Sequence, residues 1–160
     1  MITINIKDIS EQEEKSPKGK YHAFMKEISI ALGRQPRSLD LTTRHPFDVT
    51  VVRIPPGKAF GLYHTHAAQW EFYMVIAGLG SVRHEGGVTE VRPGDAFVFA
   101  PSEAHQLMNG GTEDFVYYVI ADNPLSDSCY YPDSQKWLVI QPEKDTLLKG
   151  REVEYYEGEE

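Results

Sequence analysis

Short apolar runs separated by glycine and proline turns make up the middle of the chain. Between residues 47 and 122 these runs read FDVTVVRI, WEFYMVIA, SVRHEGGVTEV, AFVFA, HQLMN and FVYYVIAD. They are rich in β-branched and aromatic residues, and tight turns such as Arg92-Pro93-Gly94-Asp95 separate them. Helical periodicity is almost absent. The pattern predicts an all-β fold with roughly seven or eight short strands in this region, arranged as a sandwich or a barrel.

Residues 1–46 are predicted to form an N-terminal arm with edge strands. Ile2, Ile4 and Ile6 alternate with polar residues, which predicts a short strand. The run EISIAL, within residues 23–32, also has the composition of a strand, and residues 34–46 have that of a loop. This segment is therefore distinguished from the core of the fold, which is assigned to residues 47–121.

Residues 122–160 are predicted to form a C-terminal extension that packs on the core. The stretch DNPLSDSCYYPDSQ has loop composition, and one strand, WLVI, follows it. Tyr130, Tyr131 and Trp137 are the expected apolar anchors. The last nine residues, EVEYYEGEE, contain five glutamates and are expected to be a solvated acidic tail.

Composition and charge limit the classes of partner. The 160 residues suffice for one domain with a sizeable core, and 41% hydrophobic residues is ordinary for a globular protein. The net charge of −8 at pH 7 disfavours nucleic acids and anionic membranes, which would repel the chain. No leader or membrane-spanning run is recognised, so a cytoplasmic location is expected. The single cysteine, Cys129, excludes an internal disulfide and is interpreted as a small hydrophobe.

Two histidines and a glutamate give the strongest signal for chemistry. His64 and His66 are two residues apart in an extended run, so both imidazoles point to the same face. Glu71 begins the next apolar run, and its carboxylate can reach the imidazoles if the two runs are neighbouring strands. A His-x-His pair alone can occur by chance on an exposed strand, but a later stretch adds His105. Imidazole nitrogen and carboxylate oxygen together suit Fe, Mn, Zn, Ni or Co.

The spacing of these residues resembles the two sequence motifs of the cupin family. The first motif is His-x-His followed by a glutamate and then a glycine, and it is matched by His64, His66, Glu71 and Gly78. The second is a glycine, a proline and a glycine followed by a histidine and an asparagine, and it is matched in part by Gly94, Pro101, His105 and Asn109. The two motifs span about a third of the chain.

Three positions depart from the cupin motifs. Pro101 lies one place late, Glu103 replaces the second glycine, and the opening Gly57 is one residue further from His64 than is usual. All three are turn positions. The departures therefore bear on the shape of the loops and leave the metal-ligating set intact.

The resemblance implies a fold and a cofactor. Cupins are double-stranded β-helix, or jelly-roll, barrels, which agrees with the strand pattern. The resemblance also implies one divalent metal ion per chain, bound by His64, His66, Glu71 and His105. Mn or Fe is favoured, with Zn, Ni or Co as alternatives. Four protein ligands leave two adjacent octahedral positions open, which is typical of a catalytic metal. The YYPDS segment is similar to the tail of some single-domain bacterial cupins and implies a packed extension.

An open metal site predicts an enzyme that acts on a small oxygenated substrate. Dioxygenase, decarboxylase and isomerase chemistry all remain open, because the fold alone does not define a reaction. A non-catalytic cupin that binds or senses a small ligand is the alternative. A sugar-phosphate isomerase is a further alternative, and it needs basic residues in the pocket. Arg53 is the candidate for that role, either as an anion clamp in the barrel or as a charge at a strand end.

Alternation along the strands predicts what surrounds the metal. Gln69 and Tyr73 share the face of Glu71, and both are candidate catalytic residues. Gln69 is also the natural rival of Glu71 as a ligand. The same parity predicts a mostly apolar lining that includes Phe60, Leu62, Val75, Leu107 and Asn109.

A homodimer is expected. A jelly roll leaves sheet edges that need protection, and the N-terminal segment has alternating apolar residues that suit the extension of a neighbour's sheet. These residues are Ile2, Ile4, Ile6, Ile28 and Ile30. The same residues could instead fold back on their own barrel.

Overall fold

The computed structural model describes residues 1–141 and 144–160, which form two packed antiparallel sheets. The strands of the core region are β3 (Phe47–Ile54), β4 (Ala59–His66), β5 (Glu71–Ala77), β6 (Gly80–His84), β7 (Gly87–Val91), β8 (Ala96–Phe99), β9 (His105–Met108) and β10 (Phe115–Asp122). The flanking strands are β1 (Gln12–Lys15), β2 (His22–Glu27), β11 (Asp127–Tyr131), β12 (Lys136–Ile140) and β13 (Thr146–Leu148). The short helices are a 3-10 turn (Ile6–Asp8), α1 (Ile28–Ala31) and α2 (Leu41–Arg44).

The strand order is that of a jelly roll. One sheet has six strands in the order β1-β2-β3-β10-β5-β8, and the other has seven in the order β13-β12-β11-β4-β9-β6-β7. The predicted all-β jelly-roll fold is confirmed. Strands of both flanking segments extend the sheets of the core: β1 and β2 continue the six-stranded sheet, and β11 to β13 continue the seven-stranded one. The division at residues 46 and 121 stays a prediction.

The hydrophobic core lies between the two sheets. Val52, Ile54, Val75, Phe115 and Tyr117 each expose 2% or less of their surface. They alternate with outward-facing residues along β3, β5 and β10, as the two-residue period of a strand requires. At one end of this core, polar side chains replace apolar ones, and there the candidate site is found. No helix among the described residues is long and apolar enough to cross a membrane.

Two predictions for the N-terminal segment are wrong. The strand predicted at Ile2, Ile4 and Ile6 is absent, and Asn5 instead caps the 3-10 turn by accepting a hydrogen bond from the Lys7 amide. In EISIAL, a helical turn over Ile28–Ala31 replaces the predicted strand. The reason is tertiary packing: the turn buries Ser29 against β3, where its hydroxyl accepts the Val49 amide hydrogen at 2.8 Å.

The C-terminal extension contains more regular structure than its composition predicts. The predicted strand WLVI lies within β12, but DSCYY, predicted as loop, forms β11. β11 pairs with β4, so that Cys129 lies opposite His66 and Tyr130 opposite Thr65. This pairing brings residues of the extension beside the two histidines of the first motif.

Candidate metal site

The fold brings the four predicted ligands together. His64 and His66 lie on β4, and the pairing of β4 with β9 places His64 directly opposite His105. Glu71 begins β5 in the other sheet and faces them across the interior of the barrel. His66 and His105 are buried, and the side chains of His64 and Glu71 are 16% and 13% exposed.

The donor atoms converge on one point. His64 Nε2 and His66 Nε2 are 3.1 Å apart, and Glu71 Oε2 lies 4.0 Å and 3.6 Å from them, respectively. These three donor atoms form a group that could hold a metal ion, all within 4.8 Å of one another. His105 Nε2 lies 2.7 Å from the same Glu71 oxygen, at hydrogen-bond distance.

Hydrogen bonds on the far side of each ring fix its tautomer. His64 Nδ1 lies 2.7 Å from the Leu62 carbonyl oxygen, and His105 Nδ1 lies 3.1 Å from the Glu103 carbonyl oxygen. A carbonyl oxygen only accepts hydrogen bonds, so each Nδ1 carries the proton. The Nε2 atoms of His64 and His105 therefore point towards the centre of the site, and that of His105 faces the Glu71 carboxylate.

The third histidine is held by a carboxylate from the C-terminal extension. His66 Nδ1 donates to Asp127 Oδ2 at 2.5 Å, and Asp127 Oδ1 accepts the Ala68 amide hydrogen at 2.8 Å. Cys129 Sγ also lies 3.4 Å from His66 Nδ1. Cys129 is buried, as expected of a small hydrophobe, but it contacts a site histidine. Asp127 is thus a candidate functional residue that the motifs in the sequence do not include.

Burial and neighbouring groups together shift the pKa values of the site residues. Burial and the neighbouring His105 lower the pKa of His64 to about 4. Burial also disfavours the charged form of His66, but the hydrogen bond to Asp127 prevails and raises its pKa to about 10. Burial likewise disfavours ionised Glu71, yet the hydrogen bond to His105 and the nearby imidazoles lower its pKa to about 2. In the metal-free site, a protonated His66 donates to the neutral His64.

Tyr73 adds a hydroxyl to this group. Its Oη donates to Glu71 Oε2 at 3.0 Å and lies 3.2 Å from His105 Nε2. Burial and the charge of Glu71 hold the pKa of Tyr73 well above its usual value, so the phenol keeps its proton. The ring of Phe99 stacks on the His105 ring, with centroids 4.1 Å apart.

A small cavity adjoins the donor atoms. Its volume is about 170 Å³, and its lining consists of Phe60, Gly61, His64, Glu71, Tyr73, His105, Gln106, Leu107, Tyr117 and Val119. The predicted residues Phe60, Tyr73 and Leu107 are among them, whereas Leu62, Val75 and Asn109 are not. The Asn109 amide instead donates to the carbonyls of Ile54 and Glu113 and holds a turn.

Two further predicted residues lie elsewhere. Gln69 does not line the cavity, and its amide donates to the Asp122 carbonyl at 2.7 Å. Arg53 binds Glu11 and Asp114 at the outer face of its sheet, at 2.7 and 2.9 Å. Of the two alternatives for Arg53, the structure supports the strand-end charge.

The donor separations fit one divalent ion. Two donors that are each ~2.1 Å from an ion lie roughly 3.0 Å apart at a right angle and roughly 4.2 Å apart when opposite. The distances of 3.1, 3.6 and 4.0 Å among His64, His66 and Glu71 fall within this range. His105 can join the set once its nitrogen turns from the Glu71 oxygen towards an ion.

Comparison with known proteins identifies a family and a fold. The model of the Cupin domain family matches residues 50–121, which include all four predicted ligands. No protein of curated function matches the chain. Asp127 and the rest of β11 lie beyond the matched residues.

Solved structures align with most of the chain. A candidate sugar phosphate isomerase from Acidithiobacillus ferrooxidans is 25% identical, with a TM-score of 0.79 over 93% of this chain and 92% of that chain. A sugar phosphate isomerase of the cupin superfamily from Silicibacter pomeroyi is 21% identical, with a TM-score of 0.78 over 92% of each chain. A predicted oxalate decarboxylase from Thermotoga maritima is 17% identical, with a TM-score of 0.60 over 77% of this chain and 100% of that chain. At these identities the second and third structures show the fold alone.

Proposed function

Because this chain belongs to the cupin superfamily, we propose that it is a metal-dependent enzyme that acts on a small oxygenated substrate. The observation that carries the proposal is the orientation of three imidazoles. Each Nδ1 has a hydrogen-bond acceptor behind it, so that each Nε2 is directed at Glu71. Outer contacts of this kind are what orient histidine ligands in metalloproteins.

His64, His66, Glu71 and His105 would hold one divalent ion, with Mn or Fe favoured and Zn, Ni or Co as alternatives. Such an ion, when bound, polarises a substrate oxygen and stabilises negative charge that develops on it. Around that centre, Phe60, Leu107 and Val119 exclude water, and the buried Tyr73 hydroxyl serves as a fixed proton-bearing donor. This arrangement suits decarboxylation, oxygenation or isomerisation of a compact substrate that bears a carbonyl, hydroxyl or carboxylate group.

Cavity size restricts the substrate. A volume of about 170 Å³ is well below the ~300 Å³ at which drug-sized ligand pockets begin. A molecule with only a few carbon atoms fits the cavity. Gln106 adds little for recognition, because its amide group donates to the Gly61 carbonyl at 2.8 Å.

A sugar phosphate isomerase is the second candidate. The likeness to the Acidithiobacillus ferrooxidans protein over more than nine-tenths of both chains favours it. Against it, no lysine or arginine is found among the described residues that line the cavity. A phosphate would have to lie outside this lining. A cation outside it is Lys136, whose Nζ lies 5.0 Å from the centroid of the Tyr131 ring, which in turn stacks on the His64 ring with centroids 6.2 Å apart.

Turnover assays on metal-loaded protein test the proposal. Three substrate classes are compared: small keto acids with oxygen uptake, short dicarboxylates with CO₂ release, and aldoses with or without a phosphate. We expect turnover in one class, and Tyr73→Phe should lower kcat about 100-fold at unchanged metal content. Tyr130→Phe is the matched control, because Tyr130 packs on Trp137 on the other face of β11.

The outcomes separate the alternatives. If phosphorylated aldoses alone react and Lys136→Ala raises KM for them, the sugar phosphate isomerase is supported. If a small molecule binds the metal-loaded protein without turnover, the chain is a binding or sensing cupin. Protein that takes up no divalent ion would contradict the proposal altogether.

A further inference from the structure

Three of the seven arginines in the chain lie within eleven residues, in the segment that joins α1 to β3. Arg34, Arg37 and Arg44 meet at a small pocket with a volume of about 70 Å³, which we call the arginine pocket. Its other polar lining residues are Ser38, Asn123 and Gln141. In a chain with a net charge of −8, such a concentration of cations needs an explanation.

Hydrogen bonds hold the backbone of this segment in a defined shape. The Gln35 amide donates to the Thr43 carbonyl oxygen at 2.9 Å, which closes the segment on itself. Asp40, whose carboxylate is the only one in residues 34–46, accepts the Thr42 amide hydrogen at 2.8 Å and so caps α2. The segment therefore presents its three arginines without supplying a carboxylate of its own to pair with them.

Arg44 is the least compensated of the three cations. Its Nη2 donates to the Asn123 carbonyl oxygen at 2.6 Å, but its Nε and Nη1 atoms are buried and have no acceptor among the residues that the structure describes. Within that part of the chain, Arg44 also forms no ion pair with a carboxylate. A buried guanidinium without a counter-charge is costly, and a buried polar group without a protein partner commonly contacts an ion or a water molecule.

Arg34 and Arg37 each have one carboxylate partner. Arg34 Nη2 bonds to Asp48 Oδ2 at 2.5 Å, and Arg37, which is 46% exposed, bonds to Asp145 at 2.6 Å. The buried Nε of Arg34 and the Oδ1 of Asp48 have no described partner, and a rotation of either group would join them. Three cations thus meet two carboxylates at the arginine pocket, and the uncompensated charge is that of Arg44.

We propose that the arginine pocket binds a phosphate group, with Arg44 as the principal cation. Guanidinium groups match oxyanions in both charge and hydrogen-bond geometry. The buried nitrogens without a described acceptor belong to Arg34 and Arg44 and number three, which a phosphate can satisfy and the two oxygens of a carboxylate cannot. The volume of about 70 Å³ is roughly that of two water molecules at ~30 Å³ each, so it admits the phosphate group and excludes a sugar. The proposal does not rest on the metal-dependent function.

The arginine pocket adjoins the end of the barrel that carries the candidate metal site. Asn123 follows β10, where Ala121 pairs with Glu71, and Asp127 begins β11 shortly afterwards. Two sources of phosphate fit this position: a free anion, or a phosphorylated compound that also reaches the metal. Titrations of metal-free and Zn²⁺-loaded protein separate them. A site for the free anion binds inorganic phosphate equally in both forms, whereas a site for a metal-bound compound binds glycerol phosphate more tightly in the loaded form.

Titration of ¹⁵N-labelled wild-type protein with inorganic phosphate tests the site without a variant. The side-chain Nε–Hε NMR signals of Arg34 and Arg44 should shift and saturate, with a dissociation constant of roughly 1 mM or below. The signal of Arg83, which pairs with Asp133 at the surface, should stay in place. Acetate should bind at least about 10-fold more weakly, because it offers only two oxygens to the arginines.

A matched pair of arginine variants locates the bound anion. Arg44→Gln should weaken phosphate binding at least about 10-fold, and Arg44→Lys should have a smaller effect because it keeps the charge but loses the planar donors. Arg83→Gln removes the same charge elsewhere and should leave binding unchanged, and the backbone amide spectrum checks that each variant is folded. A wild type whose Arg44 signal does not shift with phosphate up to ~10 mM would overturn the proposal. Phosphate binding by Arg44→Gln that is as tight as that by Arg83→Gln would also overturn it, because the anion would then lie elsewhere.

Discussion

At the scale of single residues, the site depends on what lies behind each imidazole. Backbone carbonyls hold the Nδ1 protons of His64 and His105, whereas His66 is held by an ionised side chain. A carbonyl orients the ring but adds no net charge. The Asp127 carboxylate also raises the basicity of His66, which strengthens that nitrogen as a ligand and makes it compete harder for a proton. Among the candidate ligands, His66 is thus the one whose basicity a neighbouring side chain sets.

The first prediction ranks the ligands. His64→Ala removes a donor and should weaken binding of Mn²⁺ or Zn²⁺ by at least about 100-fold. Glu71→Gln keeps an oxygen but loses the negative charge, so its effect should be smaller, and Gln69→Ala should have almost none because Gln69 bonds to the Asp122 carbonyl. Competition titration with a chromophoric chelator measures all three. Loss of metal in Gln69→Ala with retention in Glu71→Gln would contradict the assignment of Glu71.

The second prediction concerns Asp127 as a positioning residue. Asp127→Asn keeps the shape but removes the charge behind His66, and it should weaken metal binding by roughly 10- to 100-fold. It should also reduce the number of protons released on binding, because the pKa of His66 falls. Calorimetry in buffers of different ionisation enthalpy measures both quantities.

Asp133→Asn is the control for Asp127→Asn, since Asp133 lies in the same extension but pairs with Arg83 at the surface. If both variants bind metal as the wild type does, β11 only packs on the barrel and does not tune the site.

At the scale of elements, turns set the register of the strands that carry the candidate ligands. Gly78 ends the first motif between β5 and β6 with φ of +73°, and a Cβ there would lie 2.2 Å from the Asp114 carbonyl oxygen. Backbone, not a flexible side chain, blocks that space. The motif glycine is therefore required by close approach as well as by its left-handed conformation.

The third prediction follows from this contact. Gly78→Ala should lower the free energy of unfolding by about 2–4 kcal/mol, from backbone strain and overpacking together. Gly110→Ala should change it by less than about 1 kcal/mol, because its Cβ would meet nothing within 4 Å and its φ is not positive. Urea denaturation compares the two. Equal stability of the two variants would mean that the loop before β10 moves aside at little cost.

The strands and turns also show how much of the fold and of the candidate site could be predicted from the sequence. Two-residue alternation and motif spacing were sufficient to place His64, His66, Glu71 and His105 at one point, because each lies on a short strand of clear pattern. The contribution of β11 could not be predicted, because DSCYY has loop composition and becomes a strand only through its distant pairing with β4. The helical turn at Ile28–Ala31 could not be predicted for a similar reason. Isoleucine favours strands, but the packing of this turn against β3 outweighs that local preference.

At the scale of the whole molecule, the candidate site links protonation to stability. In the metal-free protein the pKa of His66, about 10, exceeds the unfolded value of ~6.5. This group therefore stabilises the fold fully below ~6.5, and that stabilisation is lost as the pH rises through about 10. His64 behaves oppositely, because its pKa of about 4 is depressed. Its contribution is present above ~6.5 and is lost as the pH falls through about 4.

The last prediction is that the stabilisation by metal rises with pH. A divalent ion must displace the His66 proton at any pH below about 10, so apparent affinity should increase up to tenfold per pH unit. At a fixed excess of metal, each tenfold step adds about 1.4 kcal/mol to the free energy of unfolding. The melting temperature of metal-loaded protein should thus exceed that of chelated protein by a margin that is small near pH 5 and widens to pH 8.5.

Asp127→Asn should flatten this dependence near neutral pH, because its His66 no longer holds a proton there. Scanning calorimetry of both proteins, each with metal and with chelator, measures the four curves. A margin that does not vary with pH in the wild type would show that no imidazole proton is displaced, and His66 would then not be a ligand. Chelated protein that is unfolded at pH 7.5 would instead make the ion a structural one, since the apolar core between the sheets should fold without it.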